Sequence, residues 1–150
     1  MPTEPFLDQV RAEAHDRNRA LRLALEHFRV DTGTIHELGP DGVLHLTAWT
    51  EGIPDHLLSL IRDIPVGKGI AGLAVERKEP VDMCNLQTDD SGRARPKARE
   101  TGVKGSICVP IMSDDRAVGA LGIGTLEERE FREDEIELLM AVGRVLAEKS

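Results

Sequence analysis

The segment Gly67-Lys68-Gly69-Ile70-Ala71-Gly72 places three glycines at a turn that runs into a helix-forming stretch. The first backbone N–H groups of a helix lack intrahelical partners and carry the positive end of its dipole, so such a turn can hold an anion. The same glycines serve equally to sharpen the turn and to let the helix approach a sheet. Trp49 is the one tryptophan in a chain without tyrosine, and it ends a strand-like run. Its indole N–H is a donor for a pocket floor, and its ring is equally a core filler. Within 86–104, Arg93, Arg95, Lys97, Arg99 and Lys104 stand against Asp89, Asp90 and Glu100, five cations to three carboxylates in a chain of net charge −8. Over a pocket that local field favours an anionic ligand; on a solvated loop it needs none.

Other chemistry lacks its residues. His15, His27, His36, His45 and His56 are dispersed without a second ligand at metal spacing, and His36 and His45 are expected to face each other across a hairpin. No Ser/His/Asp or Cys/His set stands out. Cys84 and Cys108 have neither C-x-x-C spacing nor the density of a disulfide framework, so they read as reduced, buried thiols.

The elements that must position these residues follow from periodicity. Phe6, Val10, Ala14, Arg17, Leu21, Leu25 and Phe28 recur at three- and four-residue spacing, which predicts one amphipathic helix over 4–27. Strands are expected at 30–38 and 43–50 around the turn Gly39-Pro40-Asp41-Gly42. Strict alternation in the second puts Leu44, Leu46 and Ala48 on one face and His45, Thr47 and Trp49 on the other. Short helices at 53–62 and 70–77, strands at 80–84, 106–112 and 117–126, a long loop over 86–104 and a closing helix over 133–149 complete the pattern. The order predicts an α+β arrangement, a mostly antiparallel sheet covered on both sides.

The succession Pro65 to Gly72, Glu79-Pro80-Val81-Asp82-Met83, Gly105 to Ile111 and Ala117 to Ile123, closed by Phe131-Arg132-Glu133-Asp134, resembles the GAF domain. The resemblance covers nearly all of residues 1–150 and implies one domain: a five- or six-stranded sheet, N- and C-terminal helices on one face, a ligand pocket on the other. It also implies a homodimer through the terminal helices. Some GAF proteins bind nitrate through a tryptophan and backbone N–H groups of the glycine-turn helix, which here are Trp49 with Ile70, Ala71 and Gly72. Met83, Ile107 and Val109 are expected as apolar walls. The free methionine sulfoxide reductases of this family carry a cysteine where Ala71 stands, and others in a loop that here has none. Cyclic-nucleotide-binding members match at Phe131, Asp134 and Glu135 but have Asn-Lys where this chain has Gly124-Thr125, and Asp63-Ile64-Pro65 resembles phytochromes without their bilin contacts. In the GAF sheet the strands of Cys84 and Cys108 are neighbours, which leaves a redox pair as a lesser reading.

The expectation is therefore a non-enzymatic sensor of a small, anionic ligand, without cofactor or metal, that signals to a separate regulator such as a histidine kinase. The alternative is a ligand-free dimerisation module. A charge of −8 argues against nucleic acid and anionic membranes, and the absence of a signal-like start or a run of about 18 apolar residues points to the cytoplasm.

Overall fold

The computed structural model describes residues 3–51, 53, 55–83 and 104–148. The loop expected over 86–104, apart from Lys104, and the pairing of Cys84 lie outside the described residues. The elements are α1 (Thr3–Glu13), α2 (Arg17–Phe28), β1 (Thr32–Leu38), β2 (Val43–Trp49), α3 (Asp55–Ile61), β3 (Asp63–Pro65), α4 (Gly69–Arg77), β4 (Val81–Met83), β5 (Gly105–Ser113), β6 (Arg116–Thr125) and α5 (Glu133–Glu148). The six strands form one antiparallel sheet in the order β3-β2-β1-β6-β5-β4, the α+β arrangement expected. No described helix is long and apolar enough to cross a membrane.

One face of the sheet carries α1, α2 and α5. Ile35, Ile107, Val109, Leu121 and Ile123 pack there against Leu21, Leu139, Val142 and Leu146, all essentially inaccessible. At ~1.5–3 kcal/mol for each large apolar side chain buried, this layer holds most of the hydrophobic stabilisation. Arg129 ties the helices together: it donates to the Phe28 and Arg29 carbonyls at 2.9 and 3.1 Å, pairs with Glu135, and stands 4.8 Å from the Phe131 ring centre. An arginine at the end of α2 thereby satisfies carbonyls that a helix terminus leaves open.

The single helix expected over 4–27 is two. The stripe continues through residues 14–16, but Asp16 leaves the helical region with φ −111° and ψ 99°, and its carboxylate accepts from the Arg19 N–H at 3.3 Å. An aspartate at that backbone geometry is a helix start, which apolar spacing alone does not reveal. The strand β3 has no counterpart in the sequence expectation, because three residues are too few to show a period.

Replacing Asp16 by alanine removes the cap and is expected to cost about 1 kcal/mol, some 2–4 °C in Tm. In one continuous helix the same change would stabilise, since alanine is the better helix former. Thermal and urea unfolding of Asp16→Ala give the sign directly.

Candidate functional site

The other face of the sheet is built from small side chains. On β6, residues alternate so that Ala120, Gly122 and Gly124 point to this face and Leu121 and Ile123 to the helical one. The register sets Cys108 of β5, Gly122 of β6, Thr34 of β1 and Trp49 of β2 in one row across the sheet. A methyl group at Gly122 would stand 2.9 Å from the Cys108 Sγ and 3.2 Å from the Thr34 Oγ1, so only glycine fits between them. The next row holds Pro110, Ala120, His36 and Leu46.

The helix α4 lies on this face. Ile70, Ala71, Ala74 and Val75 pack on Leu44, Ile64, Val81, Cys108 and Ala120. The chain reaches it from β3 through a turn in which Gly67 (φ 91°) and Gly69 (φ 66°) take conformations open chiefly to glycine. The Gly67 N–H donates to the Gly72 carbonyl at 2.9 Å and the Lys68 N–H to the Pro65 carbonyl at 3.1 Å. A methyl group at Gly72 would meet the Pro65 oxygen at 2.6 Å, so the turn folds back onto the helix only because residue 72 has no side chain.

This bonding moves the expected cradle by one residue. The Gly72 N–H is already used, donating to the Lys68 carbonyl at 3.1 Å. The N–H groups of Gly69, Ile70 and Ala71 have no such backbone partner among the described residues, and Lys68, in the N-cap position, makes no side-chain cap. The first turn of α4 therefore presents donors and the positive end of the helix dipole, with the Glu76 carboxylate occupying the space beside Gly67 in the turn before it.

The expected contacts separate into three groups. Ile70 and Ala71 lie on the face of the sheet that carries Trp49, and Met83 pairs with Ser106 at the end of β4. Ile107 and Val109 do not belong here: they point to the helical face, are fully buried in its core and cannot touch anything between the sheet and α4. The run Ile107-Cys108-Val109-Pro110-Ile111 is apolar on both parities, so the sequence offers no alternation from which to assign a face. Trp49 is 44% exposed rather than a buried floor. It stands at the rim, and its backbone N–H donates to the Asn18 Oδ1 at 3.4 Å.

The expected alternation of β2 also breaks. Ile35 pairs with Ala48 but His36 with Leu46, so Thr47 is an extra residue, a bulge whose hydroxyl donates to the Ile35 carbonyl at 3.2 Å. Leu44, Leu46 and Trp49 consequently share the α4 face, while Ala48 and His45 take the other. His36 and His45 thus stand on opposite faces instead of facing each other.

His45 is exposed and held by two carboxylates, Nδ1 to Asp63 at 2.7 Å and Nε2 to Asp41 at 3.1 Å. The hydrogen bond to Asp63 raises its pKa above 6.5, with Asp41 adding to the effect. His36 is the opposite case, a histidine only 2% exposed on the α4 face. Its Nε2 lies 2.8 Å from the Ile61 carbonyl, which can only accept, so Nε2 carries the proton and Nδ1 is a bare acceptor. That Nδ1 is buried and has no hydrogen-bond partner among the described residues. Burial lowers the His36 pKa below 6.5, and the nearby charge of His45 adds to this, against the Ile61 carbonyl and Asp63. Cys108 is likewise inert, its thiol pushed up to about 12 by burial. Nothing in the sequence separates His36 from a structural histidine; that small residues of β6 stand across from it follows only from the strand pairing. Among the described residues no group of His, Cys, Asp and Glu could hold a metal.

The family model of the GAF domain matches residues 15–148. The chain belongs to the GAF domain family. This GAF domain has the fold of the GAF domain from a phosphoenolpyruvate-protein phosphotransferase of Coxiella burnetii, at 24% identity and TM-score 0.78 over 99% of this chain and 92% of that one. The free methionine-R-sulfoxide reductase of Neisseria meningitidis, solved with its substrate, superposes at TM-score 0.78 with 17% identity over 98% and 87% of the two chains. A type II enzyme of the same name from Thermoplasma acidophilum gives 0.72 at 19% identity over 96% and 94%. No curated protein sequence matches significantly. These likenesses establish the fold. They also correct one expectation: a fold shared with several free methionine-R-sulfoxide reductases accommodates catalysis, so the reading of this GAF domain as a non-enzyme does not stand. GAF domains are small-molecule-binding and regulatory modules, and that description holds for this one at the level of the family.

The His36 assignment has a direct test. Nitrogen-detected NMR is expected to show the neutral Nε2–H form, titrating below 6.5. Because the unfolded chain takes up that proton first, stability is complete above the unfolded pKa and falls as pH drops from there toward the folded value. His45 gives the opposite sign: its contribution is present below its unfolded pKa and is lost as pH rises through its raised folded one. The acid-side loss is expected to disappear in His36→Gln; persistence in that variant assigns it to another group.

Proposed function

We propose that this GAF domain binds a small ligand with an anionic group between the first turn of α4 and the small-residue face of the sheet. The observation that carries the reading is the uncapped start of α4, where three consecutive N–H groups from Gly69 to Ala71 lie beside an N-cap lysine. Trp49 at the rim offers its indole N–H to the same ligand, and Met83 adjoins from β4. The domain works in the cytoplasm and passes occupancy to a separate regulator, for which a histidine kinase is the first candidate.

The same reading includes a homodimer through the terminal helices. Along α5, a groove of about 480 Å³ is lined by Pro80, Glu133, Ile136, Glu137, Met140 and Arg144. Its acidic residues lie toward the start of the helix and its arginine toward the end. A second α5 laid antiparallel would therefore bring the basic end of each groove to the acidic end of the other.

A second reading, a ligand-free dimerisation module, is favoured by the direct packing of α4 on Leu44, Val81 and Ala120, which fills much of that layer with the protein's own side chains.

Thermal-shift measurement with nitrate, phosphate, carboxylates, cyclic nucleotides and amino acids separates the two. A ligand at 100 times its Kd adds about 2.7 kcal/mol, and at roughly 2–4 °C per kcal/mol the shift is plain. Two variants locate it. Trp49→Ala is expected to weaken the response. Lys68→Asp places an acceptor at the existing N-cap geometry, φ −110° and ψ 131°. It is expected to raise the stability of the free protein by about 1 kcal/mol while suppressing the anion response. An undiminished response in Lys68→Asp removes the cradle, and a flat panel in the wild type leaves the dimerisation module.

A further inference from the structure

The positive end of α4 accounts for an anionic group on the ligand, but the α4 face of the sheet also contains the opposite kind of hydrogen-bonding atom. We propose that the ligand of this site carries an N–H or O–H donor beside its anionic group, directed at the Nδ1 of His36. A hydroxy acid or an amino acid has that chemistry, and a bare oxoanion such as nitrate lacks it. The proposal rests on the reading above, that a ligand occupies this face of the sheet.

Three observations support it. First, His36 is only 2% exposed and its Nδ1 has no partner among the described residues, although its other ring nitrogen is satisfied at 2.8 Å by the Ile61 carbonyl. Buried acceptors without partners are rare in folded proteins because leaving one unpaired forfeits its full solvation. Second, the Ile61 bond fixes the tautomer: Nε2 must keep its proton to donate, so Nδ1 can only accept and demands a donor. Third, the neighbours of His36 across β6 are small. Ala120 lies directly opposite, with Gly122 diagonal to it and opposite Thr34, so the sheet on that side rises no higher than a methyl group. Ala120 is also one of the residues that α4 packs upon, which joins the histidine to the layer whose first turn presents the Gly69–Ala71 N–H groups. A site that offers donors at one end and a lone acceptor at the other discriminates by complement: an analogue lacking its donor leaves the histidine unpaired.

Two substitutions divide the ring by position. His36→Gln places an amide N–H where Nε2 stands, keeping the bond to Ile61 while removing the acceptor. His36→Asn keeps an acceptor near the Nδ1 position and gives up the Ile61 bond. The probes are matched carboxylates, glycolate and glycine against acetate, and L-lactate against propionate, with Kd from thermal shift and the Nδ1 resonance of His36 as a direct reporter. The wild type is expected to favour the donor-bearing member of each pair by about tenfold and to shift its Nδ1 resonance on binding. His36→Gln is expected to bind both members equally, at the acetate level, and His36→Asn to retain part of the preference.

Equal binding of both members by the wild type overturns the inference while leaving the anion site standing. A preference undiminished in His36→Gln does so too, because the histidine is then structural only. An Nδ1 resonance already at a hydrogen-bonded position and unmoved by glycolate assigns the acceptor to a buried water and overturns the inference as well. If no carboxylate and no other anion binds the wild type at all, it is the ligand-binding reading that fails, and this inference with it.

Discussion

The alternation of side-chain size along β6 governs the rest of the molecule. A strand exposes successive residues to opposite faces, and here Leu121 and Ile123 point one way while Ala120, Gly122 and Gly124 point the other. The large side chains draw α1, α2 and α5 onto one face and produce a deep apolar layer. The small ones let β1, β6 and β5 form a shallow floor beneath α4. Substituting Gly122 would drive a methyl group against Cys108 and Thr34, so the floor is low by steric necessity. Larger residues at these positions would hold α4 farther from the sheet.

Much of this is legible in the sequence, and the failures have particular causes. The strands around Ser106 and Ala117, the closing helix and the turn at Gly67 fall within a residue or two of where periodicity puts them. The break at Asp16 is hidden because the apolar stripe continues across it, while the event that ends the helix is a backbone rotation stabilised by one carboxylate. The facing of Ile107 and Val109 is undetermined, because a run apolar at every position carries no phase. Only the pairing with β6, a long-range fact, supplies it. The bulge at Thr47 has no sequence sign, since a threonine fits an edge, a pleat or a bulge alike. Its consequence is large: every residue of β2 beyond it exchanges faces.

The register on the turn side of that bulge explains why two histidines on one hairpin have opposite electrostatics. Glu37 pairs with His45 and Leu46 with His36, one position out of phase, so one ring emerges toward water and the other toward the α4 layer. The exposed ring finds Asp41 and Asp63 and is favoured in its charged form; the buried ring finds a single carbonyl and is held neutral. For His36 the desolvation of a charge outweighs the attraction of the carbonyl and of Asp63. The hairpin thus keeps a neutral hydrogen-bonding imidazole against the floor without placing a buried charge there.

The start of α4 raises the same question of stability against use. Gly67, Gly69 and Gly72 are required by the turn itself, through two positive φ angles and one close approach to Pro65, whatever the helix does afterwards. Lys68 is not so required. Its extended backbone is the geometry in which aspartate or serine caps a helix, a change that commonly contributes about 1 kcal/mol, yet the position holds a cation that makes no cap. Selection for stability alone would have little reason to keep it. The open N–H groups at the start of α4 and the open acceptor of His36 both belong to the α4 side of the sheet, and the proposed ligand is one that would answer both.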